Sequence, residues 1–322
     1  MRSLASRLLA VSDRPGSLGL PSVVSGTLWF LLGNALLGSI GVFVHEAQAA
    51  PLTTTWFRCA FGLIGLTLWM LWRGAWRGLW VGWAQVPAWG RLEWGLVLAS
   101  ALLHIAYFIV LLRGYRMADL TVVYPLARGS GPLLSSMVAI VFLGEHISAL
   151  GLVGILGVVS GVFLIAGGPD LWKAAHDPLR QARVRTGIFY GGITGLFIAS
   201  YTVVDGYAVK VALMSPILVD YFGNLVRLVF LTPTLLRDRP AVWALWLQQR
   251  RYALVVGIFS PVSYVLVLYA LQVAPLSHVA PAREVSMLFA ALLGGHLLGE
   301  KDRGPRIAGA VLIAAGVMAL GW

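Results

Sequence analysis

Apolar residues in this chain neither alternate with polar ones nor keep to one helical face; they run on for about twenty residues at a time between short polar stretches. Roughly 20 residues rising 1.5 Å each cross the ~30 Å hydrocarbon layer of a bilayer, so the pattern predicts membrane-spanning helices. Ten such runs fall at 23–44, 52–72, 93–113, 119–143, 148–167, 186–209, 216–236, 253–273, 277–298 and 306–322. Continuous runs argue against a barrel, the other form that satisfies every backbone group in lipid. The predicted fold class is an all-α integral membrane protein of ten transmembrane helices.

The runs repeat. "YPLARGSGPLLSSMVAIVFLGEH" (124–146) matches "APAREVSMLFAALLGGHLLGEK" (280–301) at an offset of 155, which aligns Arg128 with Arg283 and Glu145 with Glu300. The same offset carries Gly154 onto Gly309 and Gly161 onto Gly316. An offset of 165 aligns "PLTTTWFRCAFGLI" (51–64) with the stretch starting at Pro216. The chain therefore divides into an N-terminal tail (1–22), a first five-helix repeat (23–168), a linker (169–185) and a second repeat (186–322). An odd number of spans per unit makes the second copy insert upside down. Inverted repeats characterise many secondary transporters, with the site near midplane at their junction.

Composition sharpens this reading. Only 11% of the 322 residues are charged, 59% are hydrophobic, and the mean hydropathy is +0.83. So little charge cannot cover a water-facing surface, so the expected partner is the lipid bilayer. The net charge of +11 would point to nucleic acid in a soluble chain, but here the arginines crowd into loops at head-group depth. The loops 73–91 and 237–252 mix Trp with Arg, as segments lying in the interface do. Cys59 is the single cysteine, which excludes an intrachain disulfide and a Cys-based metal site. The first half favours a cytoplasmic N-terminus through Arg2, Arg7, Arg14, Arg73, Arg77 and Arg91. Inversion then places the basic loops 168–186, 237–252 and 301–306 outside, so the positive-inside signals conflict; the early helices favour N-in.

Ionisable groups inside a bilayer are costly and mark function by default. Arg128 lies about nine residues into span four, roughly 13 Å deep. Arg283 reaches a similar depth in span nine from the opposite side. As pseudo-twofold mates facing one cavity, two guanidiniums can clamp a carboxylate or phosphate; the alternative is an internal ion pair, such as Arg128 with Asp205. Span four is expected to be broken by Pro125, Gly129, Gly131 and Pro132, with Pro281 marking the matching hinge in span nine. Asp205 in span six is a candidate for proton exchange, or for a salt bridge to Lys210. Glu284 follows Arg283 but should point about 100° away on a helix; it is a second proton or amine candidate. Arg58 and Arg227 line the cavity or pair structurally. His104 is a proton-relay candidate or a packing residue. Tyr107, Tyr124, Tyr201, Tyr221 and Tyr264 offer hydroxyls to a cavity or to packing, with Tyr124 and Tyr201 the substrate-binding candidates. The glycines of spans five and ten allow close helix approach. No HExxH, Cys/His cluster or P-loop is present, so neither an enzyme nor a cofactor or metal site is predicted.

Nearly the whole chain after residue 22 resembles the drug/metabolite transporter superfamily, specifically its EamA-type ten-helix members. The segments 118–168 and 268–320 carry the resemblance, above all the paired "LGE" at 143–145 and 298–300 ahead of a glycine-rich helix. It implies cytoplasmic termini, alternating access around a central cavity, an inner-membrane location, and export of amino acids or other metabolites. Sugar-phosphate translocators of the same superfamily place basic residues on spans four and nine, and Arg128 and Arg283 look like their counterparts. The short multidrug members use an acid in their first helix, which this chain lacks, and that weakens a cationic-drug reading. The expected function is secondary transport of a small anionic or zwitterionic metabolite by a monomer or homodimer. The rivals are efflux of lipophilic cations and a non-transporting membrane protein.

Overall fold

The structure is a computed structural model that describes residues 51–74, 86–118, 120–165, 181–237, 239–288 and 303–320. The expected first span, most of the linker, the end of span nine and Glu300 lie outside those residues. The described chain is helical: α1 (Pro51–Gly74), a short 3-10 turn (Val86–Ala88), α2 (Arg91–Met117), α3 (Leu120–Phe142), α4 (Ala149–Ile165), α5 (Gln181–Lys210), α6 (Pro216–Leu236), α7 (Arg239–Val273), α8 (Leu276–Ala282) and α9 (Arg303–Leu320). Within these, 91–117, 122–142, 181–210, 216–236 and 253–273 are each long and apolar enough to cross a membrane. The protein is an all-α membrane protein.

Helices α4 and α9 meet through glycine. A methyl added at Gly154 would lie 2.6 Å from the carbonyl oxygen of Gly316, and one at Gly161 would lie 2.5 Å from that of Gly309. Rising along α4 means descending along α9, so the two helices are antiparallel. Gly154 and Gly309 are repeat counterparts, as are Gly161 and Gly316. Each glycine therefore meets the counterpart of the other, the contact pattern of a twofold axis crossing the helix pair. Without a hydrophobic drive between helices in lipid, such close backbone approach is what holds them. A second contact is also made twice. Phe57 stacks on Trp246 with centroids 5.0 Å apart, and its counterpart Phe222 meets Trp89 and Trp94 at 5.5 and 5.1 Å.

Two expectations are corrected. Residues 239–252 are not a loop but the first turns of α7, whose 35 residues make a rod about 52 Å long. After the tolerated N-terminal Pro240, nothing in that stretch breaks the helix. Span four is not broken: the backbone stays helical from Leu120 to Phe142, through Pro125, Gly129, Gly131 and Pro132. Span nine does break, two residues past Pro281. Helix α8 stops at Ala282, Arg283 and Glu284 form a turn, and helix resumes at Val285. Here "LTVVYP" (120–125) and "LSHVAP" (276–281) align at an offset of 156, against 155 for the arginines. The second repeat has one residue fewer between proline and arginine, and the turn tightens there: the amides of Glu284 and Met287 bond three residues back, at 2.9 Å each.

The glycine contact makes the first prediction. Gly154→Leu should lower the melting temperature in detergent strongly, by the equivalent of about 1–3 kcal/mol or more. Gly95→Ala, where an added methyl meets nothing within 4 Å, should be neutral or slightly stabilising; equal effects from both would refute the contact.

Candidate functional site

Glu284 lies between the two arginines. Its carboxylate is 3.8 Å from Arg128 Nη1 and 3.9 Å from Arg283 Nε. The expectation that it points away from Arg283 fails because these residues occupy a turn, not a helix. Exposure is uneven: 39% of the Arg128 side chain is open, against 9% for Arg283 and 1% for Glu284. Both Glu284 oxygens are buried without a hydrogen bond. The carboxylate is thus held by charge at distances too long for hydrogen bonding. With Glu284 ionised, the triad carries one net positive charge, and its accessible member is Arg128. Pro132 has no N–H, so it also takes the usual partner from the Arg128 carbonyl.

The first repeat anchors the helix leading to that turn. Pro281 removes the donor that would have bonded the carbonyl of Ser277, and Ser136 Oγ of α3 donates to it at 3.2 Å. At the other end of α8, the amides of Leu276 and Ser277 donate to Glu145 at 2.8 and 2.9 Å. Lys210 at the end of α5 approaches the same carboxylate at 3.6 Å and donates to the Ala274 carbonyl at 3.1 Å. Gly144, at φ +68°, turns the chain so that Glu145 reaches α8; that region of φ favours glycine. The first "LGE" (143–145) therefore caps a helix of the other repeat. Burial alone would raise the Glu145 carboxyl, but the two amides, Ser277 and Lys210 outweigh it and hold the group below the usual carboxylate range.

Arg58, His104, Tyr107, Tyr201, Asp205 and Tyr264 lie on α1, α2, α5 and α7, and Tyr124 lies on α3. Asp205 is buried and accepts a hydrogen bond from Tyr264; neither Arg128 nor Lys210 pairs with it. His104 stacks on Tyr201 at 3.9 Å, and its Nδ1 donates to the Ser100 carbonyl at 2.9 Å. Tyr107 packs edge-on against Tyr201, 5.8 Å between centroids. Arg58 lies over the Phe108 ring at 4.8 Å. The Tyr124 hydroxyl is engaged with Met287 Sδ at 3.1 Å, just beyond the span-nine turn.

Sequence reasoning missed Asp220. It is buried with Arg227, 3.2 Å away, and accepts from Asn224 Nδ2 at 2.9 Å. Spacings of four and seven place all three on one face of α6, which was the available signal. Among the described residues no three His, Cys, Asp or Glu side chains gather as a metal site.

A model of the EamA-like transporter family matches residues 24–167 and again 185–322. The chain belongs to the EamA-like transporter family. Its two matches are the two repeats. A protein of known crystal structure superposes with a TM-score of 0.71 at 15% identity, over 92% of this chain and 97% of that one; at that identity the likeness is one of fold. No curated protein matches the sequence significantly. EamA-like membership makes this a multi-pass membrane transporter of the drug/metabolite superfamily.

Two predictions test these charges. The folded-state carboxyl of Glu145 lies below its unfolded value of about 4.3, so its stabilisation is complete above that pH and is lost as pH falls through the folded value. Glu145→Gln should cost about 1–3 kcal/mol at pH 7, and its deficit against wild type should shrink on acidification in a melting series. Asp220→Ala strands Arg227 in the interior and should cost about 3–5 kcal/mol, while Asp220→Leu/Arg227→Met should recover much of it.

Proposed function

We propose that this EamA-like protein moves a small anionic or zwitterionic metabolite, such as an amino acid, carboxylate or phosphonate, across the inner membrane, as an exporter working by alternating access. The observation that carries the reading is the half-open Arg128 beside a buried Glu284 whose oxygens have no hydrogen-bonded partner. Arg128 would take the anionic group, with its planar fork of donors suited to carboxylate or phosphate. Arg283 would offset the charge of Glu284 and keep the centre net positive. An amine on the same substrate would find acceptors in Glu284. The turn at Arg283–Glu284 is the point where span nine can flex, and the α4–α9 crossing is the axis about which one repeat would rock against the other.

A thermal-shift screen in detergent tests the reading. Carboxylates, phosphates, amino acids and lipophilic cations would be compared on wild type and on Arg128→Gln/Arg283→Gln. A ligand at about 100 times its Kd adds roughly 2.7 kcal/mol, a readable shift. Anions or zwitterions should stabilise wild type and lose at least tenfold in affinity in the double variant. Stabilisation by lipophilic cations alone, unchanged in that variant, would make the protein a cation exporter and reduce both arginines to structural partners of Glu284.

A further inference from the structure

Three acids are buried deep among the described helices: Asp205, Asp220 and Glu284. Glu284 has two arginines beside it, and Asp220 has Arg227 and Asn224. Asp205 has no cation within salt-bridge distance among the described residues. Its Oδ2 accepts from the Tyr264 hydroxyl, and its Oδ1 is buried with no hydrogen bond at all. A bare carboxylate in such surroundings is strongly disfavoured, and ordinarily it takes up a proton instead. We infer that Asp205, with Tyr264, forms a proton-carrying site separate from the arginine centre. The inference rests on the transporter reading only in making this proton the coupling ion.

The neighbours on every packed element fit that assignment. From α2 come Ser100 and His104, and His104 commits its Nδ1 proton to the Ser100 carbonyl. From α6 come Asp220 and Arg227, which neutralise each other at 3.2 Å. From α7 comes Tyr264, a donor to Oδ2. Helix α5 itself adds Tyr201, stacked on His104, and Lys210, which is engaged by Glu145. Helices α3 and α8 bring Arg128 and Arg283, both beside Glu284. Arg58 of α1 lies over the Phe108 ring, and among the described residues no cation stands within salt-bridge distance of Asp205. A sodium ion is the less suitable occupant. Transporter sodium sites draw on carbonyls of unwound helix, whereas α5 runs unbroken from Gln181 to Lys210. With a proton on Oδ1, Asp205 gains a donor there and stays an acceptor toward Tyr264.

Infrared difference spectroscopy of the purified protein in D2O, titrated from mildly alkaline to mildly acidic pH, reads this site without any substrate. Wild type should show the carbonyl-stretch band of a protonated carboxylic acid. Asp205→Asn should abolish it, Tyr264→Phe should shift its frequency by removing one hydrogen bond, and Glu284→Gln should leave it unchanged. If Asp205→Asn does not fold, the Tyr264→Phe shift still assigns the band. The inference is overturned if no such band exists, if it ignores Tyr264→Phe, or if Glu284→Gln removes it. Loss of the band when sodium replaces potassium at constant ionic strength would make this a sodium site and overturn it equally. The thermal-shift screen can fail while the band stands, so the two readings fall separately.

Discussion

The backbone-to-backbone crossing of α4 and α9 is the contact on which the rest of the arrangement depends. Hydrocarbon offers no hydrophobic reward for bringing two apolar helices together, so they associate where the absence of side chains lets them touch. Glycines at 154, 161, 309 and 316 meet in a reciprocal pattern that only a twofold relation produces. That relation turns the second repeat over and brings α8 against α3. Two arginines that are 155 residues apart in sequence thereby converge on one carboxylate.

The symmetry is then broken at the site. In the first repeat Arg128 rides on a continuous helix and keeps part of its side chain open. In the second, one fewer residue after the proline turns the backbone at Arg283, buries that arginine and swings Glu284 between the two. A strictly symmetric protein would present two like charges to each other. The shortened turn supplies the acid that separates them, and it leaves a single accessible cation. The first repeat stabilises this interrupted helix by capping it with Glu145 and by donating Ser136 to the carbonyl that Pro281 frees.

Burial of charge elsewhere follows one rule with one exception. A charge out of water is tolerated when a partner of opposite sign comes with it. Arg227 and Asp220 meet that condition on one helix, and Glu145 and Lys210 meet it across the two repeats. Asp205 has no such partner among the described residues, and the hydrogen bond it accepts there comes from Tyr264. Its surroundings are otherwise those of a packed interior, with His104 and Tyr201 stacked beside it.

The one-dimensional sequence determined what depends on composition and local spacing. Lipid as solvent, helices as the spanning form, the duplication, the family and the repeat pairing of Arg128 with Arg283 were all legible, because continuous apolar runs and a constant offset need no third dimension. Proline positions were legible but their effect was not. Pro125 and Pro132 sit in a helix that stays intact, while the span of Pro281 breaks two residues later, where the second repeat has one residue fewer between proline and arginine. That Glu284 faces Arg283, that Glu145 of the first "LGE" caps a helix of the other repeat, and that Asp205 has no cation beside it among the described residues are tertiary facts. Each depends on which groups from distant segments arrive within a few ångströms, and in a medium without water that proximity sets the cost of every charge.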